Sequence, residues 1–594
     1  MTEVADGAAA TRRPSVRKLA LWAAVGLVVL AAVWFVITAL LAESELSKIK
    51  TELPHIRAAA SAANVPDARA EAEAVARAAH RARFYTSGPV WAVLAHVPYL
   101  GQPVEAARGL TRAADQLGTK VVPSLIDISN RVEPAKLRLP GDKFDLTAIS
   151  GVAPTVHDVA VRTDAVTSSV KRLPGNTWLG TVNSARASLV SSLTSLGRTL
   201  HGLDSAVEVA PTMLGSTGTR RYFIGLENEA ESRGVGGMPG SFGIVEATNG
   251  VVKVDEFGSD SELDGVKVDV NLGSDFAERY GYENPTGQYI WSDISPNFPY
   301  GAQIWAAMWQ QKTGQRIDGA LALDPTALSY LLGVTGPVKA ADGTEISAAN
   351  VVSLTQSDLY ARFPAFADQP QRKAFLIGIS QAVDTTILHS TNTAGMLKQL
   401  GTAAGQRRLL VWSADPAVEA VLERTMVGGV IPETGAPYIA PIITSKSGNK
   451  LDYYLQRKVV VSRTDCGATT NVTVTMTLTN TAPGSGLSPY VTLRNDKPSY
   501  PTQPGDQRLN ANYFATAGAK LDSATLDGKR AVVNTGAERG HPTFQVDVEI
   551  PHGATRTVVF NLTEPNAQEA PIILRQPLVR PLDLTVTTTQ CHGH

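Results

Sequence analysis

The sequence predicts a membrane-anchored chain with a layered α/β domain followed by an all-β sandwich. Three observations predict it: a long uncharged segment near the N-terminus, strands alternating with helices from Arg220 onward, and alternating β-branched runs beyond Tyr453. A chain of 594 residues exceeds what one hydrophobic core organises, so two to four domains are expected.

Composition and charge restrict the class of protein. Hydrophobic residues make up 43% of the chain and charged residues 18%, which is typical of folded rather than disordered proteins. The formal net charge of −1 provides no overall positive field, so a nucleic-acid partner is not expected.

The first element is a predicted transmembrane helix over residues 19–42, which contain no charge and would extend over roughly 36 Å. The basic residues before it are Arg12, Arg13, Arg17 and Lys18, and the first acidic residues after it are Glu43 and Glu45. The positive-inside rule then places residues 1–18 as a cytoplasmic tail and the bulk of the chain outside the plasma membrane. A cleavable signal peptide is the alternative, but its apolar region usually spans only about 7–15 residues. A single-pass anchor is therefore predicted.

Two helical segments follow the anchor. Residues 43–135 are rich in alanine and charged side chains, and prolines such as Pro103 stand where helices would begin, so a membrane-proximal helical stalk is predicted. Residues 136–210 contain proline and glycine turns and then a polar-faced helix, and they are predicted to be a transitional helical segment.

Residues 211–445 are predicted to form the α/β domain. A strand begins near Arg220, and a hairpin is expected at Asn249–Gly250, because Asn-Gly between alternating apolar runs is a strong turn signal. A further strand, Asp318–Asp324, is flanked by predicted helices. Strands that alternate with helices favour a layered α/β arrangement.

Residues 446–594 are predicted to form the β-sandwich, since their alternating runs are separated by Pro, Gly and Asn. The two cysteines of the chain, Cys466 and Cys591, both lie here. An external domain sits in a compartment that permits disulfides, so one disulfide is predicted. Two unpaired buried thiols are the alternative.

The candidate ligand site is the glycine-rich stretch around Arg233, Gly236 and Gly237. Its backbone N–H groups could hold an anion while the guanidinium binds phosphate oxygens. Nearby glutamates would repel that anion unless a divalent cation such as Mg²⁺ lay between them; they are Glu227, Glu229 and Glu231. In the alternative, Arg233 pairs with these glutamates and the glycines adopt positive φ.

Two further groups of residues are candidates for binding a cation or a sugar. Asp255 and Asp260 belong to an acidic run whose oxygens suit Mg²⁺ or Ca²⁺, although the run lacks the spacing of an EF-hand. Trp305 and Trp309 could stack on a sugar, but two tryptophans four residues apart on a helix are more typical of core packing.

Three motifs resemble a bacterial, actinobacterial-type family, domain-of-unknown-function 4012. They are RYFIGLENEAESRGVGGMPGSFGIVEATNGVVKV, SGPVWAVLAHVPYLGQPVEAARGL upstream, and RIDGALALDPTALSYLLGVTGPVKAADG downstream. The resemblance implies an envelope location and little chemistry.

The order of parts is also distantly similar to that of the LytR-CpsA-Psr phosphotransferases, which attach lipid-pyrophosphate-linked glycopolymers to the cell wall. That resemblance implies a LytR-CpsA-Psr-like α/β domain, with Arg362 and Arg372 at the positions of phosphate-binding arginines. Where that family carries Arg-Ser-Asp and Pro-Arg-Asp, this chain has Pro239–Phe242 and Phe257–Asp260. Two arginines and one metal-binding carboxylate are therefore missing or displaced, and phosphotransfer depends on such cations.

Two functions remain open from the sequence. In the first, the α/β domain binds a polyprenyl-pyrophosphate-linked glycan or cell-wall polymer and transfers or presents it. If the protein is an enzyme, it is then a phosphotransferase of the LytR-CpsA-Psr type. In the second, the chain is a non-catalytic envelope scaffold or adhesion protein. Clustering of Arg233, Arg362 and Arg372 in one cleft favours the first function, whereas scattered or salt-bridged arginines favour the second.

Overall fold

The structure is a computed structural model that describes residue 27 and residues 29–48, 65–131, 138–139, 143–390, 392–567 and 569–590. The chain divides into two compact units. The helical unit comprises Met1–Glu133 and Ala148–Glu208, and the mixed unit comprises Pro134–Thr147 and Val209–His594.

The helical unit is built from α1 to α6 and most of α7. Their bounds are α1 Val29–Lys48, α2 Val65–Thr86, α3 Pro89–Ala95, α4 Gln102–Gln116, α5 Val122–Arg131, α6 Leu146–Lys171 and α7 Gly180–Met213. Among the described residues, α1 is long and apolar enough to cross a membrane. The cytoplasmic tail and the first part of the predicted span, residues 1–26 and 28, lie outside the described residues.

Apolar side chains from α4, α6 and α7 hold this unit together. Ala113, Val166, Val170 and Leu193 form one buried cluster. Pro103 occupies the first turn of α4, where the missing N–H costs no helical hydrogen bond.

The mixed unit contains all the strands that the structure describes. They are β1 Arg138–Leu139, β2 Lys143–Phe144, β3 Arg220–Ser232, β4 Gly237–Thr248, β5 Val251–Ser259, β6 Gly319–Leu323, β7 Val338–Lys339, β8 Glu345–Ile346, β9 Leu409–Ser413, β10 Tyr438–Ser445, β11 Leu455–Cys466, β12 Thr469–Asn480, β13 Gln507–Phe514, β14 Lys520–Leu526, β15 Lys529–Arg530, β16 Asn534–Glu538, β17 His541–Ile550, β18 Thr555–Pro565, β19 Ile572–Ile573 and β20 Asp583–Gln590. Its helices are α8 Ser274–Tyr280, α9 Phe298–Thr313, α10 Pro325–Thr335, α11 Val351–Ser353, α12 Leu359–Arg362, α13 Gln369–Leu388, α14 Thr393–Gly405, α15 Pro416–Leu422 and α16 Pro489–Thr492.

A seven-stranded sheet, in the order β1-β2-β5-β4-β3-β6-β9, forms the first part of the mixed unit. Strands β3 and β6 are parallel and the other neighbours are antiparallel. The predicted hairpin at Asn249–Gly250 is confirmed: Thr248 pairs with Val251, and the two turn residues have φ of 49° and 83°. Positive φ at both positions is what a tight hairpin turn requires.

Aromatic residues form the core beneath this sheet. Phe223, Phe242 and Phe298 pack with Trp305 and Trp309 of α9. Core packing of the two tryptophans is confirmed, since they are 0% and 3% exposed. This arrangement fills one face of the sheet and leaves neither tryptophan open to a sugar.

Two further sheets form the rest of the mixed unit, and one of them includes β10, which lies within residues 211–445 and was predicted to belong to the α/β domain. Their strand orders are β16-β17-β13-β10-β19 and β15-β14-β18-β12-β11-β20. Side chains from both sheets, including Val459, Val474, Tyr513 and Val548, belong to one buried hydrophobic cluster. A mixed helix-and-strand fold is therefore established, whereas the likeness to the LytR-CpsA-Psr domain stays a prediction.

The last described strand, β20, lies beside β11. Strands β20 and β11 are parallel, and their register ends with Asp465 opposite Gln590. Cys466 is the next residue of β11, but Cys591 lies outside the described residues. The predicted disulfide stays a prediction.

Candidate functional site

The candidate site is a buried polar cluster at the end of β3. Glu227, Glu229 and Glu231 alternate along the strand and are at most 5% exposed. Residues two apart on a strand share one face, and buried charges require partners. Each of the three carboxylates therefore needs a compensating partner, and these partners complete the cluster.

Arg233, predicted to bind phosphate, is enclosed within this cluster. Its side chain is 0% exposed and pairs with Glu231 at 2.7 Å. The guanidinium also donates to the carbonyls of Ser232 and Ile290, at 2.9 and 3.1 Å. It stacks 3.8 Å from the centroid of the Trp291 ring. Its charge is thus compensated inside the fold, as the alternative interpretation of the sequence expected.

Glu231 is held between two cations. Besides Arg233, it accepts a hydrogen bond from the Lys450 ammonium, which is also buried. Burial opposes ionisation of Glu231, but Lys450 and Arg233 outweigh it and lower its pKa to about 2. Glu231 is therefore ionised over the whole physiological pH range.

Glu229 pairs with a different cation, the guanidinium of Arg408. One guanidinium nitrogen of Arg408 contacts Glu229 at 2.8 Å and Asp324 at 2.6 Å. Asp324 also caps α10 by accepting the Ala327 N–H at 2.7 Å. Burial and the neighbouring Glu229 raise the pKa of Asp324 well above its ordinary value, against the opposing effect of Arg408. One arginine therefore serves two carboxyls.

Glu227 and Asp293 form the unusual part of the cluster. Both are buried, and none of their four carboxyl oxygens has a donor among the described residues. The two carboxyls are close enough to influence each other's ionisation. Burial and then Asp293 raise the pKa of Glu227 well above its ordinary value, and burial raises that of Asp293 to about 7. The Tyr289 hydroxyl, close by, is likewise buried without a partner among those residues.

The glycine-rich turn is shaped by packing rather than by left-handed backbone. None of Gly234, Gly236 and Gly237 has positive φ, so the alternative interpretation is wrong on this one point. A Cβ on Gly234 would overlap the carbonyl of Ile294, and one on Gly237 would overlap the backbone of Asn228. The chain therefore needs glycine because backbone segments approach too closely for any side chain.

The C-terminal segment closes the turn from the other side. Gln576 donates to the Arg233 carbonyl at 2.5 Å, and a Cβ on Gly236 would lie 3.1 Å from the Pro577 carbonyl oxygen. Arg408 donates to the Leu578 carbonyl at 2.9 Å. Because the turn lies between this segment and Ile294, it joins the α/β part of the mixed unit to the sandwich.

The other two predicted phosphate-binding arginines lie on either side of Phe363. Arg362 is half exposed and pairs with Asp342 at 2.8 Å. Arg372 is buried, donates to the carbonyls of Phe363 and Ala365, and stacks 3.7 Å from the Tyr490 ring centroid. The structure does not bring either one to the partners of Arg233.

The two metal candidates are also apart from the cluster. Asp255 is exposed on β5, and Asp260 pairs with Lys373 at 2.6 Å. Within the described residues, no group of three or more His, Cys, Asp or Glu side chains could hold a metal ion. Binding of Mg²⁺ stays a prediction without a located site.

Comparison with known proteins adds one family. Residues 217–360 match the family model of DUF4012, a protein family of unknown function. The DUF4012 match spans about a quarter of the chain and includes β3, β4 and the turn between them. It confirms the resemblance predicted from the sequence for these residues, whereas the upstream motif at residues 87–110 lies outside it.

The other comparisons carry no argument about function. The curated proteins give no match to the chain. Among solved structures, a candidate nutrient-binding protein from Legionella pneumophila aligns at 8% identity, over 22% of this chain and 44% of its own, with a TM-score of 0.14. A likeness of that size does not establish a shared fold.

Several residues of the cluster were not expected from the sequence. Asp324 was noted only as the end of a strand, and the remaining members are Arg408, Lys450, Asp452 and Gln576. A signal existed: Glu227, Glu229 and Glu231 alternate in the sequence, and if the predicted strand continued past Asn228 they would share one face and need buried partners. The sequence does not say which distant bases supply them.

Proposed function

We propose that this protein is a membrane-anchored, extracytoplasmic component of the cell envelope that acts as a non-catalytic scaffold or binding module. In this proposal α1 crosses the plasma membrane with the N-terminus in the cytoplasm, and the bulk of the chain lies outside. The partners are cell-wall polymer or other envelope proteins.

The observation that supports a non-catalytic role is the state of Arg233. Its guanidinium is buried, paired with Glu231 and stacked on Trp291. Transfer of a pyrophosphate-linked group requires cations that face the phosphates. An arginine in this position cannot turn to a ligand without taking a buried hydrogen-bond donor from Glu231 and from the carbonyls of Ser232 and Ile290.

The competing function is binding of a polyprenyl-pyrophosphate-linked glycan. It is tested by calorimetric titration of the detergent-solubilised full chain with a short-chain prenyl pyrophosphate, with and without Mg²⁺. We expect no saturable heat from the folded protein. Saturable binding that Arg362→Ala weakens, and that the exposed control Arg424→Ala leaves unchanged, would overturn the proposal in favour of a pyrophosphate site.

The binding role has its own experiment. The full chain is mixed with isolated cell walls and sedimented, and retention in the pellet is expected for the wild type and the Arg362→Ala variant alike. Loss of retention in Arg362→Ala alone would again point to phosphate recognition.

The orientation is tested with reporter fusions to the C-terminus. Alkaline phosphatase, which is active only outside the cytoplasm, should be active in the fusion, whereas a cytoplasmic fluorescent reporter should be dark. The basic residues before the apolar segment and the acidic residues after it support this orientation.

A further inference from the structure

The short helix α3 is fixed against the apolar helix α1. The indole N–H of Trp91 donates to the Thr38 hydroxyl at 2.8 Å. The Trp91 ring also lies 4.6 Å, centroid to centroid, from the ring of Phe35. Trp91 is buried by these contacts, so α3 has a defined position along α1.

That position is close to the end of the uncharged segment. The last residue of the segment is Ala42, and Glu43 follows it. Thr38 precedes Ala42 by four residues, which corresponds to about 6 Å along a helix. If α1 crosses a membrane, α3 therefore lies at the depth of the outer boundary between the acyl chains and the headgroups.

The surface of α3 and of the turn after it suits that depth. Helix α3 has the sequence PVWAVLA and contains no charge. Val93, Tyr99 and Leu100 are 69%, 65% and 60% exposed. Exposed aliphatic side chains beside a tyrosine are typical of segments at a membrane boundary, where the apolar part leaves water and the hydroxyl stays near it.

The turn is a folded structure rather than a loose loop. The Leu100 N–H donates to the Pro98 carbonyl at 2.7 Å, and the Gly101 N–H donates to the Val97 carbonyl at 2.8 Å. An added Cβ on Gly101 would come within 2.6 Å of the Ala95 carbonyl oxygen. The backbone thus packs onto the end of α3, and Tyr99 and Leu100 are displayed outward from a fixed turn.

We propose that α3 and the turn Val97–Gly101 insert into the outer boundary of the lipid bilayer that α1 crosses. The occupant of this apolar surface is lipid, because Trp91 holds α3 against α1, and the exposed apolar side chains of α1 would be surrounded by lipid. The inference rests on the proposed membrane anchor. It adds a second point of attachment, which fixes the rotation of α1 and the direction in which the helical unit leaves the membrane.

The experiment measures the surroundings of single nitroxide labels on the full chain in phosphatidylethanolamine–phosphatidylglycerol vesicles. Labels are attached at Val93→Cys and Leu100→Cys. Val36→Cys on α1 serves as the lipid control and Val532→Cys, 87% exposed on the sandwich, as the water control. The unsubstituted chain measures labelling of the native cysteines.

Oxygen concentrates in lipid, whereas a polar nickel complex stays in water, so the ratio of their collision rates reports the depth of a label. We expect the ratio at positions 93 and 100 to exceed that at position 532 several-fold and to approach that at position 36. A lipid-like value at 36 with water-like values at 93 and 100 would overturn the inference and leave the anchor standing.

Two other outcomes would also overturn the inference. Labels at 93 and 100 shielded from both reagents would show that protein covers the surface, from a partner or a second copy, and would overturn the lipid assignment. A water-like value at position 36 would remove the anchor itself, and the inference with it.

Discussion

Glu227 and Asp293 are buried neighbours that affect each other's ionisation, and no arginine or lysine pairs with either carboxyl among the described residues. Two adjacent buried carboxyls cannot both ionise without a compensating charge. One proton shared between them removes one negative charge and provides a hydrogen bond. We therefore describe the pair as a carboxyl–carboxylate pair near neutral pH.

The pair predicts a loss of stability as pH rises. Because the pKa of Asp293 is raised from 3.8 to about 7, the folded chain holds a proton in that window that the unfolded chain has released. The free energy of unfolding should fall through the window by up to about 1.4 kcal/mol per pH unit for that proton. Urea unfolding from pH 5 to pH 8, followed by fluorescence, measures the slope.

Other shifted groups titrate as well, so the variant Asp293→Asn isolates this contribution. Its amide can donate to Glu227 at every pH, and its profile should be flatter than that of the wild type. Asp255→Asn, at an exposed position, is the matched control and should leave the profile unchanged. Equal slopes in the wild type and Asp293→Asn would contradict the shared proton.

A second prediction concerns the Arg233–Glu231–Lys450 trio. Arg233→Met should lower the free energy of unfolding by about 3 kcal/mol or more, because Glu231 and the carbonyls of Ser232 and Ile290 each lose a buried donor, at about 1–3 kcal/mol apiece. Arg362→Met removes a half-exposed pair with Asp342 and should cost about 1 kcal/mol or less. Chemical unfolding of the two variants measures both free energies of unfolding. Equal small decreases in the two variants would mean that Arg233 does not stabilise the fold.

The glycine turn supplies a third prediction. Gly234→Ala and Gly237→Ala should destabilise the mixed unit strongly, because the new Cβ would overlap neighbouring backbone. Gly240→Ala, where the nearest atom is 3.7 Å away, should be tolerated. Hydrogen exchange of peptides covering β3 and β4 locates the damage, which should centre on residues 228–237. Equal protection in all three variants would contradict the close approach.

The fourth prediction concerns Cys466 and Cys591. The parallel register places Asp465 opposite Gln590, so its continuation by one residue would bring the two cysteines together. Neighbouring strands have Cα spacings within the range that a disulfide spans. Mass spectrometry of unreduced peptides should find the linked pair, and reduction should lower stability by about 2–5 kcal/mol. Quantitative alkylation of both thiols without reductant would exclude the bond.

Local signals predicted local structure well. Asn249–Gly250 specified its hairpin because only a few residues adopt the positive φ that such a turn needs. Trp305 and Trp309 were placed in the core by their spacing on a helix. In each case the information lies within a few residues of the feature.

The partners of the buried charges could not be predicted in the same way. Glu229 binds Arg408, which lies 179 residues further along the chain, and nothing local to either residue specifies the other. The structural role of the glycines could not be predicted for the same reason. Gly234 and Gly236 have Ile294 and Pro577 as their close neighbours, and whether a glycine serves a turn or a close approach depends there on distant backbone.

The contact between Gln576 and Arg233 joins residues 343 positions apart. During synthesis, which adds about 5–20 residues per second, the glutamine emerges some tens of seconds after the arginine. Until then the charged interior around β3 lacks the segment that closes it, so this part of the chain cannot reach its final state while translation continues. A premature stop anywhere before Gln576 therefore removes a contact of the α/β part as well as the end of the sandwich.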